Sequence, residues 1–341
     1  MNEVLKTIRC KQVDCPIATT GICLEGIIET CSFKILEGSN ESTPNSNEGN
    51  DDNKANYQKV YSADVLKTED CGKITSASQT RLIILAGSIK AGKTTLLASI
   101  MQLFQQKGSF ASFLFKSSLT LIGFEKRCFK SRTASMESKA DTDRTVYKEE
   151  GEEFLHLQVR DANRKVYDLL FTDLSGERFK AISNSTPESK KFVIAKRADH
   201  FVLFIDADQI SDSSQRQQCR ISSINILKGL VDAEMLNPKV YIQVIFSRWD
   251  LLLKKGNFES HNEFITLLKT EITTKFKPTF PNLTFHEIAS RPENDEQIAF
   301  GYGVDQIFPK WIDESPFIPT EQELANATSY KGQSKRQFGK Y

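Results

Sequence analysis

From about Lys73 to Trp311 the chain switches repeatedly between short apolar runs and stretches whose apolar residues return at helical spacing. That alternation is the sign of strands and helices in βαβ order around a mostly parallel sheet. Leu82-Ile83-Ile84-Leu85-Ala86 is apolar throughout, as a strand covered on both faces must be. After a glycine-bounded loop, Leu96, Leu97, Ile100, Met101 and Phe104 fall on one helical face, so a helix is predicted directly behind that strand. In Phe154–Val159 the apolar Leu155, Leu157 and Val159 alternate with polar partners, and Val166–Thr172 follows a turn-rich stretch; the pair reads as an antiparallel hairpin with His156 on the polar, exposed side. Phe201–Ile205, Val240–Phe246 and Leu283–Ile288 add three buried strands, six in all. Ile221, Ile224 and Leu227 share a helical face, as do Phe264, Leu267, Leu268 and Ile272, and a last helix carries Val304, Ile307, Phe308 and Trp311. The predicted fold class is α/β: a six-stranded, mostly parallel sheet flanked by helices.

The flanks break this pattern. Glu37 to Gln58 has no Val, Leu, Ile, Met or Phe and cannot bury enough surface to offset the entropy of ordering it. The chain therefore divides into a Cys-rich leader at 1–35, a flexible linker at 36–72, a main domain at 73–315 with an insertion at about 107–150, and a mobile basic tail at 316–341. The insertion mixes Phe110, Phe113, Phe115, Phe124 and Phe129 with Lys116, Lys126, Arg127, Lys130 and Arg132. It reads either as a partner-binding surface or, in preference, as extra elements that pack aromatics on the core and leave their bases solvated.

Charge narrows the partners. Lys+Arg and Asp+Glu nearly cancel, leaving +1, so no global field favours nucleic acid or an anionic membrane. No apolar run reaches the roughly 20 residues needed to span a bilayer, and a soluble, cytoplasmic protein is expected. In the leader, Cys10, Cys15, Cys23 and Cys31 offer four thiols in a segment too small for its own core. One Zn²⁺ held by the four, or free thiols on a packed leader, both fit that spacing.

Three motifs carry chemistry. Gly87-Ser88-Ile89-Lys90-Ala91-Gly92-Lys93-Thr94 has the two glycines, lysine and hydroxyl of a phosphate-binding loop, placed between a strand and a helix. Glycines let successive N–H groups turn toward phosphate oxygens, and the helix end from Lys93 through Thr95 adds partial positive charge. Lys93 reaches the β- and γ-phosphates, and Thr94 ligates Mg²⁺. Asp173-Leu174-Ser175-Gly176-Glu177 closes the Val166–Thr172 strand; Asp173 can hold Mg²⁺ through water, and Gly176 can offer its N–H to a γ-phosphate. Ser247-Arg248-Trp249-Asp250 closes the Val240–Phe246 strand, where the acid can accept from guanine N1–H and N2–H₂, an edge adenine lacks. Asp206, Asp208 and Asp232 lie off this strand end and read as controls.

With these elements in this order, residues 80 to 312 resemble the Ras-like, translation-factor-related (TRAFAC) P-loop GTPases. The Thr-Asp-Leu-Ser-Gly-Glu wording and the cysteine leader look like bacterial double-GTPase proteins of conflict or defence gene clusters. The family's Asn/Thr-Lys-x-Asp appears here with Ser247 and Arg248 at its first two positions. The resemblance implies GTP/GDP and Mg²⁺ as cofactors, and a loop at Ala289-Ser290-Arg291 that meets the guanine oxygen. It also implies a threonine that closes over Mg²⁺, for which Thr145 is chosen with Thr142 beside it. A protein effector or a second GTPase would read the switch segments. Where Ras-like proteins orient water with Gln, this chain has Glu177, whose carboxylate is repelled by a polyanion, so slow hydrolysis is expected unless a partner, Arg178 or Lys180 completes the site. Two rivals stay open: a P-loop ATPase or small-molecule kinase, and a nucleotide-stabilised adaptor with little turnover.

Overall fold

The computed structural model describes residues 63–128, 152–172, 174–256, 258–293 and 298–313, together with two short strands near the start. The chain forms two compact units, residues 1–59 and 60–341. In the first, β1 (Ile8–Cys10) and β2 (Lys34–Leu36) pair antiparallel. Cys10 lies on β1; Cys15, Cys23 and Cys31 lie outside the described residues, as does the segment from 314 onward.

Among the described residues, the second unit is built on a nine-stranded sheet. Its parallel half is β4 (Thr80–Gly87), β8 (Val166–Thr172), β9 (His200–Asp206), β10 (Tyr241–Ser247) and β11 (Leu283–Ile288), in the spatial order β11-β10-β9-β4-β8. Its antiparallel half adds β7 (Glu153–Arg160), β6 (Phe113–Ser117) and β5 (Ser109–Phe110) beyond β8, while β3 (Leu66–Lys67) pairs with β7. The six strands expected from sequence are all present. The three others hold two to five residues each, too few to display a period.

Every residue of β4 and of β9 is buried because helices cover both faces. Ile84 and Ala86 point to a layer formed by α4 (Gly176–Asn184), α7 (Arg216–Asp232) and α9 (Phe258–Phe276), joined there by Phe179, Leu227 and Leu268. Ile83 and Leu85 point to the opposite layer, where α2 (Lys93–Lys107) and α10 (Val304–Asp313) contribute Leu96, Ile100, Phe308 and Trp311. The alternation of β4 between two apolar layers is what a strand of unbroken aliphatics requires. Among the described residues no helix is long and apolar enough to cross a membrane.

Several expectations change. The sheet begins at Leu66, followed by α1 (Thr68–Ala77), inside the stretch that composition assigns to a linker ending at 72. Leu66 is buried with Cys71, Ile74 and Phe154, so this short segment has a core of its own. In the insertion, β5, β6 and α3 (Leu121–Cys128) form, with Phe110, Phe113 and Phe124 buried, as the packing reading anticipated; Phe129, Lys130 and Arg132 lie outside the described residues. Ile221 and Leu267, which spacing groups with buried neighbours, are exposed. His156 is not solvent-facing but 2 % exposed. The stretch after β6 covers it: Leu119 donates its N–H to His156 Nδ1 at 3.0 Å, and His156 Nε2 lies 2.7 Å from Asp168 Oδ1. Burial pushes the Asp168 carboxyl up, but hydrogen bonds from His156, Ser78 and Gln158 outweigh it and hold the carboxyl below its ordinary value.

Candidate functional site

β4 is the point at which the sheet reverses its order, with β9 on one side and β8 on the other, and the carboxyl end of such a strand opens a crevice for a ligand. The loop from Gly87 to Gly92 fills that end. Gly87 has φ +145, and a Cβ there would stand 2.8 Å from the Phe204 carbonyl oxygen on β9, so only glycine permits the close passage. Gly92 is left-handed at φ +86, as is Lys90 at φ 62, and α2 starts at Lys93. The first helical bond runs from Leu96 N–H to the Gly92 carbonyl at 2.9 Å. The N–H groups before it, up to Thr95, lie at the helix end, where partial positive charge favours an anion. Lys93 folds back over the loop, its Nζ donating to the carbonyls of Gly87 at 3.0 Å and Ser88 at 2.8 Å. Thr94 is half-buried in the same first turn, while Ile89 is exposed at the loop's crest.

On the β8 side, the Thr172 hydroxyl accepts Leu85 N–H at 3.1 Å where the two strands part. Asp173 lies outside the described residues, and so do Thr142 and Thr145. Gly176, at the start of α4, is pressed against the phosphate loop: a Cβ there would lie 2.6 Å from both Ile89 Cα and the Ser88 carbonyl carbon. Gly176→Ala is therefore expected to drive α4 and the loop apart and to weaken nucleotide binding about tenfold or more, as overpacking of a tight contact does. Calorimetry on the folded variant checks this; unchanged affinity would contradict the contact's role. Glu177 sits in the first turn of α4, half-buried. Arg178 is turned to other work. It donates to Glu152 Oε1 at 3.1 Å and lies 5.3 Å from the Phe192 ring centroid, so in this arrangement it does not serve the phosphate end.

On the β10 side the segment Ser247-Arg248-Trp249-Asp250 is tied in at several points. The Ser247 hydroxyl donates to the Ala91 carbonyl at 2.8 Å, joining the strand end to the phosphate loop. Arg248 adopts the left-handed conformation (φ 55, ψ 39) and stands at the position just before α8 (Trp249–Lys254). Its guanidinium pairs with Asp206 at the end of β9, with Nε 2.8 Å from Oδ1, so Asp206 is tied to this loop and is not a neutral control. Nothing in the local sequence pointed to it, because the pair spans two strands. Burial lowers the Arg248 pKa, but Asp206 and Asp208 outweigh that and raise it. Asp250, 4 % exposed, accepts Glu293 N–H at 3.1 Å, and burial pushes its carboxyl above the ordinary value. Glu293 belongs to the loop after β11, so this bond ties Asp250 to the loop that also carries Ala289-Ser290-Arg291; the Ser290 carbonyl accepts Gly301 N–H at 3.2 Å and Ala289 is buried.

A phosphate-type loop at a strand-order reversal, anchored by a hydroxyl to a strand end that carries a buried acid, defines a P-loop nucleotide-binding protein of the GTPase kind. A sequence model of the Double-GTPase 2 family matches residues 81–312, and the chain belongs to that family. No curated protein matches the chain. Among solved structures it is similar to translation elongation factor SelB of Methanococcus maripaludis in its apo form, at 15 % identity over 72 % of this chain and 37 % of that one, TM-score 0.34. It is also similar to the S. cerevisiae Ski7 GTPase-like domain bound to GTP, at 15 % identity over 64 % of this chain and 44 % of that one, TM-score 0.35. The chain thus spans less than half the length of either.

Proposed function

We propose that the chain is a guanine-nucleotide switch that binds Mg²⁺·GTP at the carboxyl end of β4 and hydrolyses it slowly. The observation that carries this is the bond from Ser247 to the Ala91 carbonyl, which fixes the distance between a phosphate loop and a buried acid suited to guanine. In this reading Lys93 and the N–H groups of the loop hold the β- and γ-phosphates, Gly176 meets the γ-phosphate from α4, and Asp250 reads the base. The hydroxyl of Thr94 and the carboxylate of Asp173 are hard oxygen donors suited to Mg²⁺, with Thr145 closing from the preceding segment. When bound, the ion neutralises charge on the phosphate oxygens.

Slow turnover follows from Glu177 and from the engagement of Arg178 with Glu152. A carboxylate beside the γ-phosphate does not orient water as an amide does, and an arginine held elsewhere does not neutralise charge there. A protein effector or second GTPase would then complete the site, a role that the family's name and the resemblance to bacterial conflict and defence proteins both support. A Zn²⁺ held by Cys10, Cys15, Cys23 and Cys31 would give the leader its core. The test is to identify the nucleotide that copurifies with the chain and to follow phosphate release. Guanine nucleotide with release slower than about one per minute supports the reading, since unassisted sites of this chemistry turn over far below typical enzymes. Copurified adenine nucleotide with rapid release would return the ATPase reading.

A further inference from the structure

Asp206 stands at the end of β9, in register with Ser247 at the end of β10. The residue is 0 % exposed, and both of its carboxylate oxygens accept from the Arg248 guanidinium. Oδ1 also accepts Asp208 N–H at 3.0 Å, and the Asp208 carboxylate lies 3.4 Å from the same guanidinium. A carboxylate withdrawn from water is stable as an ion only when paired, and a two-point fork fixes direction as well as charge. Lysine, a point charge, offers no such fork. Arg248 in turn holds a left-handed backbone that a non-glycine residue adopts only when its surroundings enforce it. It immediately precedes the short helix that carries Asp250.

We propose that Asp206 is the positioning residue of the base-reading loop: by gripping Arg248 at two points it holds the left-handed turn that aims Asp250 at the guanine edge. The inference rests on the reading of Asp250 as the guanine acceptor. The loop is then held from three directions, by Ser247 to the phosphate loop, by Arg248 to β9, and by Asp250 to Glu293 after β11. Arginine in place of the family's lysine is matched by a buried acid one strand away, and base selectivity depends on that acid although it need not touch the nucleotide.

The test is competition between Mg²⁺·GTP and Mg²⁺·ATP on the full chain, for the wild type and for Asp206→Asn, Arg248→Lys and Asp208→Asn. Asparagine sets an NH₂ group against the guanidinium and breaks the fork at unchanged size. Asp206→Asn and Arg248→Lys are each expected to shrink the preference for GTP over ATP by about tenfold or more, chiefly through weaker GTP binding, because a binding constellation tolerates little displacement. Asp208→Asn, which removes the longer and more exposed contact, is expected to change it by less than about threefold. If Asp206→Asn does not fold, Arg248→Lys, which leaves a cation beside the buried acid, decides alone. A merely structural pair would weaken both nucleotides together and leave their ratio intact, and that result would overturn the proposal. Equal affinities for GTP and ATP in the wild type would instead overturn the reading of Asp250, and the role of Asp206 with it.

Discussion

Replacing Lys93 with alanine is expected to abolish Mg²⁺·nucleotide binding while leaving the chain folded. Its Nζ lies over the loop at 3.0 Å from the Gly87 carbonyl and 2.8 Å from that of Ser88, beside the place proposed for the phosphates. A charge-assisted hydrogen bond contributes roughly 1.5–3 kcal/mol, and an ammonium serving two phosphates makes more than one, so affinity should fall by about 10² or more. The fold has little at stake. Lys93 sits in the first turn of α2, half-buried, and alanine is the best helix former for that position. Calorimetric titration with GTP together with a thermal melt separates the two effects; a folded Lys93→Ala chain with wild-type GTP affinity would remove the phosphate loop from the site.

Asp250→Asn should move base preference from GTP toward XTP. The change replaces one acceptor oxygen with a donor, which suits the C2 carbonyl of xanthine and opposes the amine of guanine. GTP affinity should drop by about 10² or more and XTP affinity should rise, since the mismatch leaves a buried polar group unpaired. Acid offers an independent check of sign. Burial raises the Asp250 pKa, and guanine requires the ionised form, so GTP affinity in the wild type should be full above that raised value and decline as the pH falls through it. The Asp250→Asn variant has no carboxyl to titrate at this position, and competition titrations across pH would show whether the dependence disappears with it.

Much of this was legible in the sequence because the strong signals are local. Leu82–Ala86 is unbroken in hydrophobicity, and Gly87 to Thr94 follows it at once, so strand, loop and helix are readable within one short stretch of chain. Asp250 was legible for the same reason, as an acid just past a buried strand. What escaped depends on distant covering. His156 alternates as an exposed residue should, but Leu119 and Thr120 arrive from the insertion to cap it. Asp206 is separated from Arg248 by two helices and a strand, so only the parallel register of β9 and β10 reveals the pair. The two residues of β3 carry no period, and Leu66 became readable as core only through its contacts with Phe154 and Leu170. Ile221 and Leu267 fail in the opposite sense: their spacing is helical, but α7 and α9 turn those edges to solvent.

Whether this site reads guanine is measured directly by the affinity of the wild-type chain for Mg²⁺·GTP against Mg²⁺·ATP in the same buffer. Two hydrogen bonds to a charged acceptor at roughly 1.5–3 kcal/mol each predict a preference for GTP of at least about 10². Equal affinities, or tighter binding of ATP, would contradict it and remove Asp250 from the site.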